Sequence, residues 1–279
     1  MKKPDPQRRI GSAPRTVHMP IVIGPRLFNS DNFYYIEEWK ETADASLSSQ
    51  RHVSKKSIVN FLTKNFLEKD WITKAFNLSQ KTLEDVINSY LRVYTRCFGV
   101  VILARGVSEL DIKAIAICLP AHQVPNVETD DENWSEVEHF FETAMSNGRQ
   151  VSENNENILT TIMLSVESSK DILSADLMSE KKFDSNLSKC EEASFKGRLA
   201  IEILTVIERE IIKKAKEYSF SRIDTLNTNL ATKAVCAELG YRLRNTYSLN
   251  DFLQSSKKNL NPSPEHKISS VYYMSKNVN

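Results

Sequence analysis

The sequence predicts a mixed α/β domain, an α+β arrangement around one sheet. Amphipathic helical stretches alternate with short β-branched and aromatic runs. Two adjacent apolar runs are joined by a short Gly-containing turn, which reads as an antiparallel hairpin. The composition is that of a globular chain: of 279 residues, 41% are hydrophobic and 26% charged, too apolar for wholesale disorder.

The elements follow in order. Phe33 to Trp39 (FYYIEEW) suits a first strand. Val53, Ile58, Phe61, Leu62, Phe66 and Leu67 recur at helical spacing. Ser79 is placed to cap a second helix whose stripe is Leu83, Val86, Ile87, Tyr90, Leu91 and Tyr94. Cys97 to Arg105 and Ile112 to Leu119 form the hairpin around Gly106. Residues 121–157 are a polar, acidic insertion, read as solvated. Within it Trp134, Val137, Phe140, Phe141 and Met145 support one short helix. Ile158 to Val166 reads as helix and Ile172 to Met178 as strand, although such short apolar runs are interchangeable. Leu199 to Lys216 is a long helix with one broad apolar face and a cationic last turn. Phe220 to Leu226 is a strand. Asn229 caps a short helix, Leu230 to Leu239, ended by Gly240, and Tyr241 to Tyr247 and Ser269 to Met274 close the sheet.

Residues 1–29 read as a disordered basic arm with Lys2, Lys3, Arg8, Arg9 and Arg15, and residues 30–279 as a single domain. A net charge of +1 supplies no field to hold nucleic acid or an anionic membrane, so neither is an expected partner. The longest apolar run, Val100 to Ala104, stops at Arg105, far short of the roughly 20 residues of a membrane span. Cys97, Cys118, Cys190 and Cys236 lie far apart, and the five histidines are scattered, so no metal-ligand spacing is present. No secretory n-region and h-region open the chain, and a cytoplasmic protein with reduced thiols is expected.

The segment with most chemical content is Ser194-Phe195-Lys196-Gly197-Arg198-Leu199-Ala200. As the opening of the long helix it would present unpaired amides, a positive dipole end and two cations, an anion site suited to a diphosphate. It equally fits a plain structural cap. It has neither the G-x-G-x-x-G of a dinucleotide turn nor the G-K-[ST] of a P-loop.

KGRLA with its long helix, then FSRIDTLN, then TNLATKAVCAELGYRL, resembles the C-terminal half of the GNAT N-acetyltransferase family, whose last motif reads N-x-x-A-x-x-x-x-x-x-L-G-[FY]. NFLEKDWITKAFNLS is similar to the segment after the first helix in the aralkylamine branch, H-F-x-x-D-E-P-L-x-x-x-L-G-L. The resemblance covers about residues 30 to 275. It implies a GNAT fold: a mixed sheet of about six to seven strands with about four flanking helices. It also implies acetyl-CoA as cosubstrate in a V-shaped opening between two central strands, and direct transfer to the primary amine of a small molecule. Its cofactor-binding positions fall on Leu177, Met178 and Ser179, on Lys196, Gly197, Arg198, Leu199, Ala200 and Ile201, and on Asn229.

The chain departs from the family where function is most exposed. In the loop [QR]-x-x-G-x-[GA], Ser194 takes the first place and Leu199 the last, so Gly197 alone matches. The branch glutamate of D-E-P-L is replaced, Asp70 being followed by Trp71, which leaves Glu68 and Asp70 as candidate bases. Cys236 stands where the family often has a tyrosine acid. Tyr90, Tyr94, Phe98 and Trp71 are candidates to line an aromatic-amine pocket, although aromatics at helical spacing more often pack in a core. The alternative these departures leave open is a GNAT-like domain without turnover that binds acyl-CoA or a protein partner.

Overall fold

The computed structural model describes residues 34–41, 53–106, 111–147, 157–167, 187–255, 262–263, 266 and 269–278, with backbone alone for 187–196. The expected basic arm lies outside them. Seven strands form one sheet in the order β1-β2-β3-β4-β5-β7-β6. They are β1 (Tyr34–Glu38), β2 (Val100–Gly106), β3 (Ile112–Pro120), β4 (Ile158–Val166), β5 (Arg222–Asn227), β6 (Arg242–Ser248) and β7 (Ser270–Asn277). The described helices are α1 (Lys55–Lys69), α2 (Trp71–Ala75), α3 (Gln80–Tyr94), α4 (Glu132–Ser146), α5 (Leu187–Glu217), α6 (Leu230–Glu238) and α7 (Leu249–Ser255). The three beyond the expected four include α2 and α7, one or two turns each and too short for a periodic signal.

Capping fixes where helices begin. Ser54, Ser79, Asp131 and Asn229 each accept a backbone N–H from the first turn of α1, α3, α4 and α6. Gly240 ends α6 with φ of +83°, a conformation that costs other residues steric energy.

The sheet is covered on both faces. Val101, Leu103, Ile115, Ile117 and Leu119 pack towards α1, α3 and α4, while Val100, Ile102, Ala104, Ala116 and Cys118 pack towards α5. This explains why β2 and β3 read as unbroken apolar runs: alternate residues enter two cores rather than one core and solvent. Lys214 and Tyr218 tie α5 to β1 through Glu38, at 3.0 and 2.9 Å. On β5, Arg222 pairs with Asp224 at 2.9 Å, and Asp224 also accepts from Tyr273 Oη on β7 at 2.8 Å.

Two expectations are corrected. Ile158 to Val166 is a strand, because its alternate side chains enter both cores; Ile172 to Met178 lies outside the described residues. The long helix starts at Leu187, not near Leu199, so Gly197 lies about three turns inside it.

Candidate active site at the parting of two strands

All neighbouring strands are antiparallel except β4 and β5, which are joined through α5 and run parallel. Their pairing begins at Ile158↔Arg222 and ends at Thr161↔Thr225. Beyond that point β4 continues against β3 to Val166, and β5 continues against β7 through Leu226 and Asn227. The cause is local. On β3, Ile117 and Cys118 are adjacent, but their partners on β4 are Met163 and Thr161, so Ile162 is an extra residue. Such a bulge bends its strand and leaves backbone groups outside the ladder. Here it sits where β4 and β5 separate.

A cavity of about 420 Å³ opens over the parting. Thr160 to Leu164 and Thr225 to Asn229 form its floor, α3 contributes Leu83 and Tyr90, and α4 contributes Trp134, Val137, Glu138, Phe141, Glu142 and Met145. The α1–α2 junction adds Phe66, Asp70, Ile72 and Thr73. Among the described lining residues the charged ones are Asp70, Glu138 and Glu142, and no Lys, Arg or His joins them. Such a lining gives the cavity a negative potential that favours a cationic ligand.

Asp70 is held in place from two sides. It caps α2, its Oδ2 accepting from Thr73 N at 2.8 Å and from Thr73 Oγ1 at 3.0 Å. The next residue, Trp71, donates its indole N–H to Thr228 O at 2.7 Å, fastening the junction to the loop after β5. Burial raises the Asp70 pKa above the usual carboxylate range, against the opposing hydrogen bonds from Thr73. Glu138 is half-buried and accepts from Val127 N at 3.2 Å; burial raises its pKa too. Glu142, one turn further along α4, is exposed at the rim.

The other sequence-derived residues separate. Glu68 is exposed on α1 and does not line the cavity, whereas Asn229, the α6 cap, does. Gly197 and Ala200 are buried within α5, Leu199 is half-buried, and Arg198 and Ile201 are exposed. Their amides lie inside a helix, where N–H groups are taken by carbonyls four residues back, so the open amide nest expected at Gly197 is absent from this backbone. Lys196 lies in the same helix. Leu177, Met178 and Ser179 lie outside the described residues. Of the four aromatic candidates, Tyr90 lines the cavity, Tyr94 stacks on Trp39 in the core, Phe98 is exposed, and Trp71 packs edge-on to Phe140.

Cys236 faces the opposite side of the sheet and is fully buried. Its Sγ lies 3.9 Å from Asn227 Oδ1, and burial, then the nearby Glu208 carboxylate, push its pKa far up. Glu208 of α5 is itself buried and accepts from Tyr241 Oη at 2.9 Å. Burial pushes its pKa up to about 7.

Sequence reasoning missed Glu138, Glu142 and Thr160. The signal was present on α4: positions 134, 137, 138, 141, 142 and 145 share one helical face, and two of them are glutamates inside an otherwise apolar stripe.

Solved structures that share this fold include N-acetyltransferases. A putative arylalkylamine N-acetyltransferase from the yellow fever mosquito Aedes aegypti superposes with a TM-score of 0.63, at 14% identity, over 88% of each chain. The C-terminal condensation domain of Ebony, solved with beta-alanyl-dopamine, superposes with a TM-score of 0.55 at 14% identity, over 88% of this chain and 99% of that domain. In sequence, a beta-alanyl-bioamine nonribosomal peptide synthetase from Schistosoma mansoni is 28% identical over 255 residues. That match takes in 88% of this chain but 19% of the synthetase, so the chain spans about a fifth of that relative's length. No family model matches the chain. The chain has the GNAT fold, as its sequence resemblance implies, and its structural likeness includes the arylalkylamine branch.

Proposed function

We propose that this domain is an N-acyltransferase that moves an acyl group directly from a pantetheine thioester to the primary amine of a small molecule. The observation that carries this reading is the acidic cavity over the parting of β4 and β5, with no cation among its described lining residues. An amine entering as an ammonium ion meets Asp70, which accepts a proton and frees the nitrogen lone pair. The nitrogen attacks the thioester carbonyl, the C–N bond forms, the C–S bond breaks and the thiol leaves with a proton. In this reading, backbone groups of β4 that the bulge at Ile162 leaves outside the ladder bind the pantetheine amides and the carbonyl oxygen. Transfer needs no acyl-enzyme, since the thioester is already activated.

Acetyl-CoA is the donor implied by the sequence resemblance. A second reading has a specific observation in its favour: α5 runs unbroken through Gly197, leaving no amide nest there for the diphosphate of coenzyme A. A β-alanyl thioester on a pantetheine arm without the nucleotide needs no such nest. The likeness to the Schistosoma mansoni synthetase and to the Ebony domain supports the same donor. The two are separated by comparing acetyl-CoA with S-acetyl- and S-β-alanyl-pantetheine as donors to one amine. A β-alanyl preference in kcat/KM, with little gain from the nucleotide, supports the second reading; a strong preference for acetyl-CoA returns to the first.

A further inference from the structure

Asn227 lies where β5 outlasts its pairing with β4. It lines the cavity, is 4% exposed, and meets the core beneath α5. Its carboxamide is held there by two sulfurs: Nδ2 donates to Met274 Sδ at 3.3 Å, and Cys236 Sγ donates to Oδ1 at 3.9 Å. Both are weak partners, and the Cys236 S–H is the one that holds the oxygen end. The same thiol is near enough to Glu208 of α5 to bond to it. Tyr241 Oη takes Glu208 Oε2 at 2.9 Å, while Oε1 has no hydrogen-bond partner among the described residues. Cys118 of β3 also faces this carboxyl, its Sγ 3.5 Å from Thr161 Oγ1. Around them α5 packs on Val100, Ile102, Leu159 and Ile223, all apolar. The buried arginines, Arg105 and Arg222, pair instead with Glu37 and Asp224. One S–H cannot serve two acceptors at full strength. A neutral carboxyl competes weakly for it, whereas a carboxylate accepts far more strongly than an amide oxygen.

From this arrangement, and resting on the acyl-transfer reading for its consequence, we infer that Glu208 is a proton-operated positioning residue for the parting of β4 and β5. Neutral, it leaves the Cys236 thiol to hold the Asn227 carboxamide in one orientation at the cavity floor. Ionised, it draws the thiol to itself and releases that carboxamide, which weakens binding of the thioester donor. The thiol keeps its proton throughout and takes no part in the transfer. Burial, which pushes the Glu208 pKa up to about 7, puts the changeover near neutral pH. The carboxyl is neutral below that value, so donor binding is tightest on the acid side and weakens as pH rises.

The test is calorimetric titration of the full chain with S-acetyl-pantetheine, a donor with no titrating group of its own, across neutral pH and without amine. Its Kd is expected to rise by about threefold to tenfold between about pH 6 and 8, the worth of one hydrogen bond. Glu208→Gln, neutral at every pH, and Cys236→Ala, with no thiol to withdraw, should each show no such rise. A Glu208 that is merely structural still titrates in Cys236→Ala and predicts the rise there. A flat wild-type profile, or a rise that persists in either variant, overturns the inference. The infrared S–H stretch of Cys236, assigned by difference against Cys236→Ala, reads the switch without any donor. It is expected to move to lower frequency as pH rises, as the thiol turns to a stronger acceptor, and to stay fixed in Glu208→Gln. A stretch that does not move overturns the inference whether or not a donor binds. A stretch that moves in a protein that binds neither S-acetyl-pantetheine nor acetyl-CoA leaves the switch standing and removes the functional reading.

Discussion

Tyr241 Oη donates to Glu208 Oε2 at 2.9 Å in the core between α5 and the sheet, holding a carboxyl group that burial pushes up to about 7. An ordinary glutamate in the unfolded chain titrates near about 4.3. Between those values the folded protein holds a proton that the unfolded chain has released, so stability falls as pH rises. The loss is about 1.4 kcal/mol per pH unit, or about 3 kcal/mol in all between pH 4.3 and 7. Urea unfolding from pH 4.5 to 8 should show this decline, and Glu208→Gln should flatten it. Tyr241→Phe is expected to cost about 1–3 kcal/mol, because a buried carboxyl oxygen loses its partner.

Cys236 is expected to be chemically quiet. Its thiol is buried beside Asn227, with Glu208 near enough to oppose thiolate formation. Iodoacetamide should label it only after unfolding, and mass spectrometry after incubation with a thioester donor should find no acyl adduct there. Cys236→Ala is expected to cost about 1 kcal/mol in stability. An adduct that discharges to amine at the turnover rate would contradict direct transfer.

A donor that binds the folded protein raises its melting temperature. At about 100 times its dissociation constant it adds roughly 2.7 kcal/mol. S-β-alanyl-pantetheine is expected to give such a shift, and phenethylamine or tyramine to give an additive one from the cavity side. Glu68→Gln should alter neither, since Glu68 is exposed on α1 and outside the cavity.

Much of the fold was legible in the sequence because its signals are local. Ser79 and Asn229 start helices where their side chains satisfy first-turn amides, and Gly240 ends α6 with the positive φ its position needs. The hairpin of β2 and β3 follows from two apolar runs and a glycine turn. Ile158 to Val166 was misread because a strand feeding two cores loses the alternation that marks a half-buried strand. The start of α5 was misplaced because Gly197, a usual helix boundary, is carried within the helix. Asp70 could be named from sequence, but not its binding to Thr73 or the anchoring of Trp71 on Thr228, a contact 157 residues away. The cavity's acidity is tertiary. Glu138 stands on a helix that the sequence does show, but within a stretch whose acidic composition reads as solvated, and its neighbours at the site come from α3 and β4.

Asp70, at the parting of β4 and β5, is the proposed base for acyl transfer to an amine. The most direct measurement is mass-spectrometric quantitation of amide and free thiol from tyramine and S-β-alanyl-pantetheine, for wild type and Asp70→Asn across pH. The wild type should form both products in equal amounts, with kcat/KM rising with pH through a value above the ordinary aspartate range, since the base acts deprotonated. Asp70→Asn should lower the rate by about a hundredfold or more and lose that rise, while remaining folded. Wild-type rates in Asp70→Asn, or no amide from this donor or from acetyl-CoA, would contradict the account.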